Sequence, residues 1–431
     1  MKAFFPLVFL QTFCFGQPDN VSEHFIEYPH QITISFDTTE IRHYPFIDLH
    51  KNQFKFLSGI SPNWELFFTE FDSMINQKDR KLNFYHIGGS HLQADIYTHV
   101  VRSQLQNHWE NLSGERGQVF PYSLTGTNNP SNYIFKSSNS WKGYRSVVNR
   151  PQGIDYGLHG IIASCSDSII NLNFCYSKKK EKNPFSAFRI MHNKGTLPYD
   201  VTLLNSEVEI LEFQTNEELG YTEFVLNSEL DSLKLKFQRN GKSRDALLIY
   251  GITLMNDRPG ISYSSIGVNG ASLPTYLKNT HFEEQLCLYP PDFLAFSVGT
   301  NDANVPNGQF DSLGYYKNLE QMILTVYRCN PKCAILLTVP NDAFYNKKYP
   351  NGNIETMRKM IFSLARKYNL AVWDFYGLMG GGGTAKTWMQ NGLMQSDLVH
   401  FTFRGYELKG RLLFDAFLKF LEQMRNTEKL K

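Results

Sequence analysis

The residue of this chain best placed to do chemistry is a serine. Ser90 follows Phe84-Tyr85-His86-Ile87-Gly88-Gly89 and precedes His91. The apolar run has the character of a β-strand, the glycines interrupt it, and an amphipathic helix is expected behind. A strand that turns sharply into a helix presents its serine hydroxyl at the carboxyl end of a sheet, where open α/β folds gather their reacting groups. Serine at its ordinary pKa is a weak nucleophile. It needs a histidine to take its proton, an acid to orient that histidine, and donors for the oxyanion that forms on attack.

Twelve histidines are available, so a histidine alone decides nothing. His400 stands out because Asp397 precedes it by three residues in Ser396-Asp397-Leu398-Val399-His400-Phe401-Thr402, in a loop before a final helix. A tight turn at that spacing can bring the carboxylate to the imidazole Nδ1, although a plain surface aspartate before a helix has the same pattern. Gly299-Thr300-Asn301-Asp302 ends another apolar strand, and an asparagine amide there can donate to an oxyanion. An ordinary polar turn shares that composition. Gly270, in Asn269-Gly270-Ala271, is a weaker candidate whose backbone N–H could come close to a substrate oxygen.

Other features carry less. The run Gly380-Gly381-Gly382-Gly383 lacks the Gly-Lys-Ser/Thr sequel and the preceding strand of a phosphate loop, and reads as a mobile loop near the site. His86 and His91 flank the serine, but no carboxylate or cysteine set completes a metal site, so neither metal nor cofactor is expected. Trp141, Tyr144 and Trp388 could stack on sugar rings; packing is the commoner use of such residues.

These groups need elements to hold them. The 431 residues are 42% hydrophobic and 19% charged, enough for two or three domains with a sizeable core. Aromatic residues reach 14%, which suits a bulky core. The balance of 43 basic against 41 acidic residues offers no basic surface for nucleic acid. Lys178-Lys179-Lys180-Glu181-Lys182 reads as a hairpin tip between two β-like runs.

Met1-Lys2 and the short apolar stretch behind them read as a cleavable export signal over residues 1–16, with the cut near Gly16. No later stretch offers about 20 apolar residues to span a bilayer, so stable membrane insertion is not expected. The cut would remove Cys14 and leave Cys165, Cys175, Cys287, Cys329 and Cys333. Cys165 and Cys175 could face each other, and the tight loop from Cys329 to Cys333 could close a disulfide. All of them could equally be buried apolar side chains.

Ser61-Pro62 suits a helix start, with Trp64, Phe67, Phe68, Phe71 and Ile75 facing the core. The strand at 82–87 follows, then a helix over about 91–108 with an Ile96, Val100, Val101, Leu105 stripe. From about Trp141 to Met255 the periodicity changes to two, as in Ser168–Phe174, Val208–Phe213 and Ser232–Phe237. That spacing argues for an inserted all-β sandwich. Apolar strands then alternate with helices again at 264–268, 293–298, 313–327, 334–339, 370–373 and 403–421. This implies a parallel sheet covered on both faces.

The order serine, glycine, asparagine, then Asp-x-x-His, each at a strand end or before a helix, resembles the SGNH/GDSL hydrolase superfamily over about residues 80–130 and 260–425. The resemblance implies a three-layer α/β/α, flavodoxin-like hydrolase domain. It is formed by residues 17–140 and 259–431, with a carbohydrate-binding-like β-sandwich at 141–258. Exported bacterial peptidoglycan O-acetylesterases of this superfamily have a module in that place. Carried over residue by residue, Ser90 is the nucleophile, His400 the general base and Asp397 its orienter. The oxyanion donors are the backbone N–H groups of Ser90 and Gly270 and the side chain of Asn301. The implied activity is an exported serine esterase acting on an acylated polysaccharide or peptidoglycan. The alternatives are an O-acetyltransferase on the same machinery or an inert glycan-binding protein. The chain departs from the superfamily pattern at Gly89, where Gly-Asp-Ser usually has its aspartate.

Overall fold

The computed structural model describes residues 25–27 and 33–35, and from residue 44 onward all but 111, 149–152, 178–182, 242–243 and 429–431. The expected signal at 1–16 and the lysine run at 178–182 lie outside the described residues. Met1–Pro45 is a unit of its own, in which Phe25–Glu27 pairs antiparallel with Thr33–Ser35. Phe46–Lys431 forms a second compact unit.

Seven strands make the central sheet of the larger unit. Their spatial order is Phe54–Phe56, Ala371–Trp373, Ala334–Thr338, Phe293–Ser297, Lys81–Gly88, Gly260–Gly267 and Ser113–Glu115. All neighbours run parallel except the edge strand Phe54–Phe56, which pairs antiparallel with Ala371–Trp373. Every residue of Ala334–Thr338 and of Gly260–Gly267 is buried, as expected for parallel strands covered on both faces.

Alternation along the strands sends side chains to two different layers. On one face Phe54, Phe84 and Phe293 meet Trp64 and Phe67 of helix Pro62–Gln77 and Phe417 of helix Phe403–Glu428 in an aromatic cluster. On the other, Leu294, Phe296, Ile335 and Leu337 join Met322, Ile323 and Val326 of helix Ser312–Cys329 and Ile361 and Leu364 of helix Asn353–Tyr368. The high aromatic content is thus largely core. The helix starts follow local chemistry. Pro62 occupies the first helical position behind Ser61, and Asp311 caps its helix by accepting from Gly314 N at 2.8 Å.

Two antiparallel sheets carry the β-rich part. One orders Tyr199–Leu203, Ser232–Arg239, Ile169–Tyr176 and Tyr133–Lys136. The other runs through Ile210–Asn216, Tyr221–Leu230, Phe185–His192, Leu247–Met255, Ile161–Cys165 and Trp141–Arg145, and Gly117–Val119 pairs with Leu247–Met255. Antiparallel pairing therefore begins ahead of residue 141. Alternate residues such as Ile170, Leu172 and Phe174 point inward and join the core shared with the parallel sheet. Among the described residues no helix is long and apolar enough to cross a membrane.

Several expectations are corrected. The strands flanking residues 178–182 are not a hairpin: Ile169–Tyr176 and Phe185–His192 belong to different sheets. The disulfide joins Cys287 to Cys329, while Cys165, Cys175 and Cys333 are free. Cys329 ends a helix packed against the one that Cys287 ends, whereas Cys333 turns into the core. Cys165 and Cys175 stand on strands of separate sheets.

The single helix expected at 91–108 is two, Ser90–Gln93 and Tyr97–Asn107. Between them Asp95 takes a left-handed φ of 44°. Its buried carboxylate accepts from Thr98 Oγ1 at 2.5 Å, Arg116 Nη2 at 2.5 Å and Asn132 Nδ2 at 2.8 Å, and pairs with Arg102. Burial would raise its pKa, but Arg102 and Arg116 reverse this and hold it well below the usual carboxylate range. This network turns polar residues inward, so Tyr97, Thr98, Val101, Arg102, Leu105 and Gln106 form the buried face and Ile96 and Val100 do not.

Candidate active site

The strand Lys81–Gly88 ends beside Gly260–Gly267 on one side and Phe293–Ser297 on the other. The carboxyl ends of these three strands carry Ser90, the turn at 268–271 and Asn301. Two buried tyrosines brace the ends: Tyr276 OH donates to Gly88 O at 2.6 Å, and Tyr122 OH to Gly267 O at 2.8 Å. Ser90 opens a single helical turn, with Leu92 N and Gln93 N donating to Gly89 O at 3.1 Å each.

Ser90 Oγ lies 2.8 Å from His400 Nε2, and His400 Nδ1 lies 2.7 Å from Asp397 Oδ2. The three groups that sequence spacing singled out therefore form one hydrogen-bonded line. The other carboxylate oxygen of Asp397 accepts from Val399 N and His400 N, both at 2.9 Å, which locks the turn. Leu398 sits within it at φ 59°, a left-handed conformation uncommon for leucine. Asn341 Nδ2 donates to Val399 O at 3.1 Å and Phe344 N to Leu398 O at 3.0 Å, so the loop is tied to the strand-end segment behind it. Thr402 then caps the last helix, accepting from Gly405 N at 3.2 Å. Burial pushes the Asp397 carboxyl up, but the imidazole and the two N–H groups outweigh it and hold the group below its ordinary value. An ionised Asp397 fixes the tautomer in which His400 Nε2 can accept the serine proton.

The oxyanion candidates converge less directly. Val268, Asn269, Gly270 and Ala271 form a turn closed by Ala271 N donating to Val268 O at 3.0 Å. Gly270 has φ 84°, as the third residue of a type II turn requires. Asn301 Nδ2 donates to Ala271 O at 2.8 Å, which leaves its second N–H for a ligand. Asn301 also neighbours the Ser90 turn: a Cβ placed on Gly89 would lie 3.2 Å from its Nδ2. Asp302 accepts from Leu273 N at 3.1 Å, and burial pushes its carboxyl up to about 6.

The histidines flanking Ser90 diverge. His86 hydrogen-bonds Tyr263 OH at 2.9 Å and Ser297 Oγ at 2.7 Å inside the sheet layer. His91 hydrogen-bonds Tyr406 OH at 2.9 Å, and its ring packs on that of His400 with centroids 5.1 Å apart. Burial, and then the charges of His400 and Lys409, hold His91 far below the ordinary histidine range, so it stays neutral. Among the described residues no three His, Cys, Asp or Glu side chains gather to hold a metal ion.

Trp388 is fully buried against Phe46, Phe375 and Phe401 and offers no sugar platform; Trp141 and Tyr144 pack against the core. The run at Gly380–Gly383 is a set of left-handed turns leading to Ala385, whose N–H donates to Asp342 Oδ2 at 2.9 Å.

Residues that no spacing argument pointed to also frame the site. Gln93 bridges the Ser90 turn to two loops, and Lys409 lies behind His91 in a box of rings from Tyr97, Phe375 and Phe401. Their partners are remote in sequence, and no local signal marks them.

A family model described as GDSL-like lipase/acylhydrolase matches residues 247–408, a span that includes Gly270, Asn301, Asp397 and His400 and begins after Ser90. No curated protein matches the chain by sequence. Among solved structures, a peptidoglycan O-acetylesterase is similar over 86% of this chain and 99% of its own, with 20% identity and a TM-score of 0.70. A lipase/acylhydrolase from Enterococcus faecalis has 22% identity over 36% of this chain and 74% of its own, at a TM-score of 0.29. An acetyl xylan esterase has 19% identity over 38% and 83%, at 0.30. The family match supports carboxylic ester hydrolysis as the chemistry of this region. The chain thus resembles the GDSL-like lipases and acylhydrolases in sequence over residues 247–408 and has the fold of a peptidoglycan O-acetylesterase over most of its length.

Proposed function

We propose that this chain is an exported serine esterase that removes O-acetyl groups from a polysaccharide, with peptidoglycan as the first candidate. The observation that carries the reading is the line Ser90 Oγ, His400, Asp397 at the carboxyl ends of the parallel strands. His400 Nε2 takes the Ser90 proton as Oγ attacks the acetyl carbonyl. The carbonyl oxygen gains the charge, met by the N–H groups of Ser90, Gly270 and the Asn301 amide. His400 then passes its proton to the sugar oxygen, the ester C–O bond breaks, and the acetyl group stays on Ser90. Water, losing a proton to His400, attacks the acyl carbonyl, and His400 returns that proton to Ser90 Oγ as its bond to the acyl group breaks and acetate leaves. Asp397 orients the ring and stabilises the imidazolium throughout.

The similarity to a peptidoglycan O-acetylesterase supports the choice of substrate, and the apolar stretch within residues 1–16 supports export. We assign the two antiparallel sheets, residues 141–258 with the strands Gly117–Val119 and Tyr133–Lys136 that pair with them, to a module that holds the glycan while Ser90 works on its ester. The test is acetate release from O-acetylated peptidoglycan, an acetylated non-wall glycan and a small acetyl ester, by wild type and Ser90→Ala. Release that Ser90→Ala abolishes supports the reading. No release above the Ser90→Ala background, with glycan binding intact, refutes the enzyme. Acetyl appearing on a sugar acceptor faster than in water assigns the chain to acetyl transfer instead.

A further inference from the structure

Position 89 faces the oxyanion turn. A Cβ built on Gly89 would meet Asn301 Nδ2 at 3.2 Å, Ala271 O at 3.6 Å and Val268 O at 3.8 Å. Gly89 itself brings no side chain to this turn. The turn is nevertheless held. Gln93, three residues after Ser90 on the same helical turn, is 1% exposed. Its Oε1 accepts from Asn269 N at 2.7 Å, and its Nε2 donates to Asn128 O at 2.7 Å and Thr127 Oγ1 at 3.0 Å. Both amide protons and the carbonyl oxygen are engaged. On the other side of Gly270, Ala271 O is held by Asn301. Gly270 is therefore pinned from both flanks, once from the helix that carries the nucleophile.

We propose that Gln93 is a positioning residue for the oxyanion hole, holding the Val268-Asn269 peptide relative to Ser90 and through it the Gly270 N–H that follows. The inference rests on the esterase reading. Gln93 acts through Asn269 and touches no reacting atom. The Ser90 and Gly270 N–H groups must converge on one oxygen at about 2.7–3.1 Å. Full negative charge develops there only in the transition state, so a displaced donor lowers kcat and leaves substrate binding nearly unchanged.

The variants are Gln93→Met, close in volume but without the acceptor, and Gln93→Glu, which keeps the acceptor for Asn269 N and loses the donors to Asn128 O and Thr127 Oγ1. Ser90→Ala is the blank. Two quantities are read: kcat and KM on a small acetyl ester, and the rate at which a fluorophosphonate labels Ser90 with loss of fluoride. Removing an oxyanion donor outright costs about 10²–10³ in kcat, so a displaced one in Gln93→Met should cost about 10–100-fold. KM should stay within about twofold. Labelling should slow in parallel, and Gln93→Glu should recover most of both rates. Equal losses in the two variants, a loss confined to KM, or unchanged rates would overturn the proposal. Should Gln93→Met not fold, Gln93→Ala carries the same expectation. A wild type that neither labels nor hydrolyses fails the esterase reading and this inference with it. A wild type that does both, matched by Gln93→Met, fails this inference alone.

Discussion

Replacing Lys409 with methionine should stabilise the protein, and by an amount that depends on pH. The side chain is 6% exposed, and its ammonium lies 4.8 Å from the Tyr97 ring centroid, 4.6 Å from Phe375 and 5.4 Å from Phe401. Among the described residues no carboxylate pairs with it. Burial pushes its pKa from the ordinary 10.5 down to about 7. At about 1.4 kcal/mol per pKa unit, the charged form costs about 5 kcal/mol in the folded state. The facing rings return about 2 kcal/mol, leaving about 3.

The folded pKa is the lower one, so the penalty is fully present below about 7. It fades as pH rises towards 10.5, because the unfolded chain there binds the proton that the folded chain has released. Methionine fills a similar volume and packs well against rings. Urea unfolding at pH 6, 7, 9 and 10 should show Lys409→Met more stable by about 3 kcal/mol at the two lower values, with the gain shrinking steadily above them. A gain independent of pH, or a less stable variant at pH 6, would refute the reasoning, since either means that the buried ammonium is compensated.

Two further outcomes follow from the geometry. Asp397→Asn keeps the shape of the turn but can hold His400 in the wrong tautomer, and kcat should fall by about 10⁴ with KM little changed in steady-state assays. Cys287→Ser opens a link between residues 42 apart in sequence and should lower stability by about 4 kcal/mol on the chain-entropy model, read by urea unfolding against wild type under non-reducing conditions.

What was legible in the sequence was periodic or local. Continuous apolar strands between helices implied the parallel sheet, and period-two runs implied the antiparallel ones. Asp397 and His400 could be paired from spacing because one turn holds both. Ser90 could be placed because the break from strand to helix is written in adjacent residues. What escaped depends on partners far along the chain. Gln93 meets Asn269 across 176 residues, and Asp95 meets Arg116 across 21; the second contact interrupts a helix whose periodicity looked continuous. The cysteine pairing is not written locally for the same reason. Closeness in sequence offers Cys329 with Cys333 as one possibility, while helix packing brings Cys287 to Cys329. A hairpin at 178–182 suited the alternation on either side of it, but which sheet a strand joins is set by faces that alternation does not identify.

The central claim, that Ser90 carries the acyl group, is tested most directly by acid-quenching wild type and Ser90→Ala during turnover of an acetyl ester and mapping the peptides by mass. One acetyl group should appear on the peptide containing Ser90 in wild type and be absent from Ser90→Ala, together with acetate release. Acetate release that persists in Ser90→Ala, or an acetyl group carried on another residue and unaffected by that substitution, would contradict it.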